Sequence, residues 1–482
     1  MFLAWILLLA FALPLFSCEK GTDGSTTEDL PASEEQQSSV MPQIHITTGN
    51  GKNTWATKYT RADKLSGRID YVDAVINVTE TDGGHTVTDA AAEVKVRGNY
   101  TLDYEKKPIR IKFKEKTSML GLHEGEAYKN WVLLADWKDP SMLRNALTFY
   151  LGNAILGEDG YYCSDFKNVE VYLNGEYWGV YLLAEQQEVK DGRTSVPEVD
   201  KGYTGSDIGY FFEYDGYYEL EAGIPDGDPT FEMKYGDGRD GLRGYTIKSD
   251  IHSEAQVEFL RSYMDNLYTL VELAIREERY YEFNADRTAL VPDESVECAM
   301  DAVDAVIDLD SLVDTYILNE IACDLDVDFS SFYLSLDMTL DGDGRLVFEA
   351  PWDFDSAYGI WVGMCTDAEG MYAMKKGNPW FALFDGVAWF EELVCERWAE
   401  LGEQGVFDDA LSMIETQTEV YRNCYIKNSR RWQARLEDGH GSLVPILDKF
   451  PDPVTAQAIA ADHLYKWLEH RIAYLDGVWS EE

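Results

Sequence analysis

The sequence predicts an α+β protein with a strand-rich N-terminal part and a helical C-terminal part. Between about residue 44 and residue 115, apolar and polar residues alternate in short runs with polar breaks, which is typical of half-buried strands. After residue 385 the apolar residues recur mostly with the helical period. The hydrophobic content of 45% is enough for a large core.

Local signals place individual elements. Asn174 and Gly175 separate two apolar runs, and Asn-Gly at such a position is the strongest short-range signal for a hairpin. A helix is predicted over residues 139–157, with Asp139 as its N-cap and Pro140 at its first position. The other predicted elements are helices over Ser253–Glu278 and Ile307–Cys323, the latter capped by Asp310, and strands at residues 209–215 and on both sides of the DGDG turn at residues 341–344.

The N-terminal sequence predicts an export signal. Residues 2–16 are apolar but short for a stable membrane span, and the LFSC that ends at Cys18 resembles a bacterial lipobox, whose cysteine is lipidated. No Lys or Arg precedes the apolar run and Phe16 is bulky for its place, so an ordinary cleaved signal or a plain membrane anchor is the alternative. The predicted organisation is a lipoprotein signal over residues 1–18, a flexible polar tether over residues 19–43 and a folded domain over residues 44–482.

The charge balance restricts the partners. The chain has 88 acidic and 41 basic residues and a net charge of −47, so phosphate backbones and anionic lipid surfaces repel it. We expect no nucleic-acid partner, a membrane contact through the lipid anchor alone, and a monomer that is exported and anchored to the outer membrane or the cell surface. The seven histidines form no HxxxH or HExxH pattern and the cysteines no CxxC pair, so the sequence does not indicate a zinc site.

Two acidic motifs indicate a cation. Asp324, Asp326 and Asp328 alternate in DLDVD, which brings three like charges to one face of an extended segment. In FEAPWDFDSAYG, Asp353 and Asp355 lie among Pro, Trp and Phe, where a negative charge needs a positive partner. That partner is either an arginine, Arg97 or Arg144, or a metal ion, while a solvated acidic loop remains the simpler interpretation of DLDVD.

The order of these residues follows a pattern of protein-kinase-like enzymes. In such enzymes a loop Asp orients the acceptor hydroxyl, a residue five places later helps hold Mg²⁺, and an Asp after the next hairpin binds Mg²⁺ directly. Asp326, Ser331 and Asp353 occupy these places, and Asp355 is placed to share the metal or a second ion.

Basic residues offer phosphate contacts. In KKPIRIKFKEK, residues 106–116, charged and apolar residues alternate, so Lys112 is a candidate for a nucleotide's phosphates and Lys107 is its rival. A solvated strand face explains the same pattern. Arg97 is a candidate for a structural or phosphate-binding role, and Glu185, at the end of an apolar strand, is either a contact to the adenine or ribose or a satisfied edge residue.

Four segments together resemble the CotH kinase family, whose members are similar to spore coat protein H. They are VKVRGNY…KKPIRIKF, NWVLLADWKDPSMLRNAL, VEVYLNGEYWGVYLLAEQ and PWDFDSAYG, and the resemblance covers roughly residues 44–480. It implies an atypical protein-kinase-like fold, ATP and Mg²⁺ as cofactors, and phosphoryl transfer to Ser or Thr of secreted or surface proteins.

The resemblance also assigns roles to residues. Asp326 matches the family's catalytic Asp and Asp353 its metal-binding Asp, while Lys112 or Lys107 would reach the phosphates and Glu185 would lie near the nucleotide. Ser331 stands where the family has Asn, and a serine hydroxyl is a weaker Mg²⁺ ligand than an amide oxygen. We expect Asp328 to compensate.

Two other functions are compatible with the sequence. A protein of this family with its kinase chemistry lost would bind a partner at the surface, and the substitution at Ser331 favours this alternative. A glycan-binding surface protein would use the aromatic loops at Tyr210–Tyr218 and Trp361–Trp380 for stacking on sugars, although core packing accounts for most of these aromatic residues.

Overall fold

The structure is a computed structural model, and it describes residues 40–81, 83–224, 227–234, 243–363, 366–437 and 443–480. The predicted lipidation residue Cys18 and the predicted signal and tether up to residue 39 lie outside the described residues. From residue 40 onward the chain belongs to one compact unit. Among the helices in the described ranges, none combines the length and the apolar character needed to cross a membrane.

Seven strands of the described chain close into a barrel. They are β1 (Gln43–Thr48), β2 (Val72–Thr79), β3 (Val87–Val96), β4 (Ile109–Thr117), β5 (Tyr128–Leu134), β6 (Phe166–Leu173) and β7 (Glu176–Glu185). The order around the barrel is β1-β2-β3-β4-β5-β7-β6, and the parallel pairing of β1 with β6 closes it. The hairpin at Asn174–Gly175 is confirmed, because both residues have a positive φ and join β6 to β7. The closed barrel itself was not predicted.

A second, five-stranded sheet lies beside the barrel in the order β14-β13-β8-β10-β9. These strands are β8 (Gly209–Asp215), β9 (Thr230–Phe231), β10 (Gly244–Ile247), β13 (Phe332–Asp337) and β14 (Leu346–Glu349), and a separate pair is formed by β11 (Tyr281–Phe283) and β12 (Leu290–Pro292). Phe212 and Leu334 pair across β8 and β13 and belong to the main hydrophobic core. Glu213 and Tyr333 pair at the next position, so the pleat turns them to the opposite face.

Helices make up most of the C-terminal part, which confirms the predicted α+β class together with the strands. In the described residues the helices are α1 (Arg61–Leu65), α2 (Arg144–Ile155), α3 (Tyr218–Glu221), α4 (Glu254–Glu277), α5 (Ala299–Asp304), α6 (Leu309–Ala322), α7 (Ala373–Lys376), α8 (Pro379–Leu383), α9 (Ala388–Gln404), α10 (Val406–Val420), α11 (Arg422–Arg431), α12 (Gln433–Glu437) and α13 (Ala456–Trp479).

Two predicted helix starts were wrong. Helix α2 begins at Arg144, five residues after Asp139, because the Asp139 carboxylate accepts the N–H groups of Leu143 and Arg144, each at 2.9 Å, and holds the segment before the helix as a turn. The cap of α6 is Asp308, whose side chain accepts the Ser311 N–H at 3.0 Å, and Asp310 lies inside the helix.

Helix α2 fixes the backbone of the FEAPWDFDSAYG segment. The fully buried Arg144 pairs with Asp139, and its Nε donates to the Ala357 carbonyl at 3.0 Å. One residue further along α2, the Asn145 Oδ1 accepts the Phe354 N–H at 2.8 Å. The segment that carries Asp353 is therefore held by side chains of a buried helix.

Helix α13 holds the end of α6, which leads into the DLDVD loop. Arg471 is fully buried, and its guanidinium bonds the Glu320 carboxylate at 2.7 Å and the Glu320 carbonyl at 2.9 Å. It also donates to the carbonyls of Ala368 and Gly370. One side chain therefore joins α13, α6 and the segment before α7.

We predict that Arg471→Met lowers the free energy of unfolding by about 3–5 kcal/mol, because it leaves the buried Glu320 carboxylate without its cation. Urea denaturation measures this loss. The control is Lys466→Met, which removes an exposed cation of the same helix and changes the free energy of unfolding by less than about 1 kcal/mol. A loss of under about 1 kcal/mol in the Arg471 variant would contradict the role assigned to this network.

Candidate functional site

A cleft of about 1120 Å³ lies between the outer face of the barrel and the second sheet. Its lining brings together segments that are distant in sequence: residues 95–110 of the barrel, residues 186–190 after β7, strand β8, and the loops that contain Asp326 and Asp353. The size is that of a small-molecule site with room for a second group.

Four acidic residues form one side, the carboxylate wall: Asp326, Asp353, Asp355 and Glu213. Burial raises the pKa of Asp353, Arg97 opposes the rise, and Glu213 adds to it. Burial and then the charge of Asp353 raise the pKa of Asp355 well above its ordinary value. Burial, followed by the charge of Asp353, raises the pKa of Asp326 to about 7. Burial is thus the main cause of all three shifts, and neighbouring carboxylates add to each of them.

Neither arginine considered for Asp355 forms an ion pair with it. Arg144 is bound to Asp139, and Arg97 lies close enough to Asp353 to oppose the rise in that residue's pKa. The one side chain that donates to Asp355 in the described contacts is the Ser356 hydroxyl at 3.3 Å. Of the two partners that the sequence suggested, the arginine is therefore not the partner of Asp355.

The other two acids of DLDVD, Asp324 and Asp328, are not part of the cleft lining. Asp324 is buried behind Asp326, and its carboxylate accepts the Asp326 N–H at 3.3 Å. The Asp328 carboxylate lies 3.7 Å from the ammonium of Lys376, outside the lining of the cleft. The structure therefore does not bring Asp328 to the place where it would compensate for Ser331.

Glu213 takes the position next to Ser331. Ser331 lies in the cleft with a φ of +62°, and its backbone N–H donates to the Glu213 carboxylate at 2.9 Å. The ammonium of Lys248 lies 3.1 Å from the other oxygen of Glu213. A carboxylate from β8 thus lies against the backbone of Ser331.

Three basic residues of the same lining are called the cationic wall: Lys95, Arg97 and Arg110. Lys95 on β3 and Arg110 on β4 are directly opposite each other in the barrel. Burial and the neighbouring cations, Arg110 first, lower the pKa of Lys95 to about 8. The buried Arg110 Nε has no hydrogen-bond partner in the described structure. Cations that repel each other without an ion pair of their own form a site for an anion.

The two lysines assigned to phosphates lie elsewhere. Lys112 is on the same face of β4 as Arg110, but one pleat further along, where its side chain is exposed and outside the lining of the cleft. The Lys107 ammonium is buried and donates to the carbonyls of Leu102 and Tyr104, so it holds its own loop. Arg110 and Lys95 line the cleft, whereas Lys112 does not.

Glu185 lies in a buried ion pair. It is fully buried, and its carboxylate accepts from the Arg193 Nε and from the Asp165 N–H, each at 2.9 Å. Burial raises the pKa of Glu185, but His123 and Arg193 more than offset this and lower it. The satisfied edge residue, which was the alternative interpretation, describes this side chain, and Glu185 does not line the cleft.

Lys95, Arg110 and Glu213 were not identified from the sequence. Lys95 stands between two buried valines in AEVKVRGNY, so the period of two already places it on the same outer face as Arg97. Glu213 stands among aromatic residues in GYFFEYD, and an acid within such a strand is a sign of a polar function on one face. Both signals were present in the sequence.

The side chains of the cleft fit one mode of metal binding, in which the protein provides only part of the ligands. Within the described ranges, no group of three or more His, Cys, Asp or Glu side chains is arranged to hold a metal. Mg²⁺ is commonly bound by one or two carboxylates together with substrate phosphates and water. Asp353 and Asp355, with raised pKa values and no paired cation for Asp355, fit this second mode of binding.

The site is thus a two-sided cleft that combines a cationic wall with a carboxylate wall, as proteins that bind phosphorylated ligands with a divalent cation have. The model of the CotH kinase protein family matches residues 94–475, which is most of the chain and includes both walls. The chain belongs to the CotH kinase family. No curated protein matches it. Membership of this family suggests a kinase-like function.

We predict that Asp326→Asn stabilises the metal-free protein at high pH. A carboxyl whose pKa is raised on folding costs stability as the pH rises from its unfolded value to its folded value of about 7, and the Asn variant lacks this cost. The difference in the free energy of unfolding, variant minus wild type, should therefore be about 1–3 kcal/mol larger at pH 8 than at pH 5.

Urea denaturation at the two pH values in the presence of a chelator measures this difference. The control is Asp385→Asn, which removes the same charge from an exposed position. A pH-independent difference for Asp326→Asn would mean that the carboxylate is not crowded by Asp353 and its neighbours.

Proposed function

We propose that the protein is a Mg²⁺- and ATP-dependent kinase with an atypical protein-kinase-like fold, which transfers the γ-phosphoryl group to Ser or Thr of secreted or surface proteins. We further propose that it is exported and held at a bacterial membrane by a lipid on Cys18, and that it acts as a monomer. The observation that supports the kinase most strongly is that the cationic wall and the carboxylate wall line one cleft.

The two walls suit opposite ends of the same complex. A triphosphate would contact Lys95, Arg97 and Arg110, where guanidinium groups form paired bonds to phosphate oxygens. Asp353 and Asp355 would hold Mg²⁺, which when bound neutralises phosphate charge and links the phosphates to the carboxylate wall. Each wall would receive the charge that it lacks in the protein alone.

Asp326 is assigned to the acceptor hydroxyl. Asp326 lies in the loop after α6. Burial raises its pKa, and the charge of Asp353 raises it further. A carboxylate that accepts a hydrogen bond from a Ser or Thr hydroxyl orients the attacking oxygen. Catalysis of this kind depends mainly on positioning and on neutralisation of charge.

A nucleotide-binding protein without phosphoryl transfer is the second candidate. The observation that favours it is Ser331, which stands where the family has Asn and donates its backbone N–H to Glu213. Transfer of radiolabelled phosphate from ATP to protein acceptors separates the two candidates, since both bind nucleotide. The glycan-binding alternative has less support, because Tyr210, Phe212, Tyr214 and Trp380 are at most 1% exposed and pack in the core.

Asp353→Asn should abolish Mg²⁺-dependent ATP binding. Asn is the matched replacement because Asp353 has a φ of +69°, a conformation that Asn tolerates well, so the variant should fold. Isothermal titration of ATP with Mg²⁺ into residues 40–482 measures the affinity. The exposed Asp462→Asn is the control. Unchanged binding in Asp353→Asn would place the nucleotide elsewhere or exclude the proposed function.

The position of the phosphates gives a separate prediction. Arg110→Met should weaken ATP binding by tenfold or more, because a hydrogen bond to a charged group contributes about 1.5–3 kcal/mol. Lys112→Met is the matched control on the same face of the same strand, and it should change the affinity by less than about twofold. An equal loss in both variants would show that long-range charge, and not contact in the cleft, determines the affinity.

A further inference from the structure

Residues 186–190, which follow β7, form part of the cleft wall. In the described structure two of them, Gln186 and Gln187, have buried side-chain atoms without a hydrogen-bond partner. Gln187 is 7% exposed, and in the described structure neither its Nε2 nor its Oε1 has a hydrogen-bond partner. Native proteins rarely leave both ends of a buried carboxamide without partners, because each such group loses its hydration without replacement. The side chain therefore has an unused donor and an unused acceptor next to a ligand-sized cleft.

The neighbours of Gln187 have at least one side-chain hydrogen bond, although the Gln186 Oε1 has no partner in the described structure. The Gln186 Nε2 donates to the Gln187 carbonyl at 3.3 Å. Glu188 accepts from the Asn130 Nδ2 and from the Arg193 Nη1, both at 2.8 Å. Gln187 is thus the residue of this segment whose side chain is left entirely for a ligand.

The strand register relates Gln187 to the phosphate end of the cleft. Asn130 lies opposite Lys112 in the pairing of β4 with β5. The Asn130 side chain donates to Glu188, which follows Gln187, so this hydrogen bond holds the segment of Gln187 near Asn130. The N–H of Arg97 donates to Pro108 O, at the opposite end of β4. Gln187, Arg97 and Arg110 line the same cleft, so a nucleotide with its phosphates at the two arginines would share that cleft with the Gln187 side chain.

We propose that Gln187 recognises the base of the nucleotide and gives the cleft a preference for adenine over guanine; this inference rests on the proposed nucleotide-binding function. A carboxamide offers a donor and an acceptor side by side, which matches the amino group and the ring nitrogen of adenine. Guanine presents two acceptors, O6 and N7, at the corresponding edge, so the Gln187 oxygen would face an acceptor.

The test compares three ligands with Mg²⁺ on the full chain in detergent solution: ATP, GTP and inorganic triphosphate. The wild type should bind ATP at least tenfold more tightly than GTP or triphosphate. Gln187→Leu should lose this preference through weaker ATP binding, while its affinity for triphosphate stays within about twofold. The control Gln404→Leu makes the same change at an exposed position of α9 and should keep the preference.

A second measurement excludes a merely structural role. Because the two amide atoms have no partners to lose, Gln187→Leu should melt at the same temperature as the wild type or higher. A lower melting temperature, or an adenine preference retained in the variant, would overturn the inference. If the wild type binds triphosphate tightly but shows no preference for adenine, the inference about Gln187 is overturned and the proposed function is not. If the wild type binds none of the three ligands, both the inference and the proposed function are overturned.

Discussion

Electrostatic repulsion within each wall of the cleft is the constraint on which the rest of the structure depends. The cleft lining includes the four carboxyl groups of the carboxylate wall and the three cations of the cationic wall, partly removed from water, where charges interact more strongly than at a surface. Burial is the main cause of the raised pKa of Asp353 and of the lowered pKa of Lys95, and a like charge adds to each shift: Glu213 to that of Asp353 and Arg110 to that of Lys95. A fold that keeps such groups in place must hold them by backbone and side-chain contacts that do not depend on their charge.

Those contacts come from two helices. Arg144 and Asn145 of α2 bond the backbone around Asp353, and Arg471 of α13 ties the end of α6 to the segment before α7. Their own charges are neutralised within the network, by Asp139 and by Glu320. The charged groups that hold the backbone are therefore buried and paired within the protein, whereas the charged groups of the cleft are left for a ligand. The stability lost to crowded charge in the cleft is the expected consequence of an arrangement that is complementary to a ligand.

The sequence was informative where a local pattern carries the structure. The hairpin at Asn174–Gly175 and the joint placement of Asp326 and Asp353 in one site followed from turn chemistry and from the order of motifs. The strand period also identified the correct face of β4, but not how far along it the cleft extends, since that depends on the packing of the second sheet. Lys112 was therefore selected one pleat beyond Arg110. The sequence left two interpretations of Glu185 open because Arg193, which neutralises it, enters from a loop with no periodic pattern. The barrel was missed because its closure depends on a parallel pairing between strands that are distant in sequence.

The central claim is that one ligand bridges the two walls. A crystal structure with Mn²⁺ and a non-hydrolysable ATP analogue tests it most directly, because the anomalous signal of the metal locates it independently of the nucleotide. The account predicts a metal peak at the carboxylates of Asp353 and Asp355 and phosphate oxygens at Arg97 and Arg110. A nucleotide bound outside this cleft, or a metal on Asp324 or Asp328 instead, would contradict it.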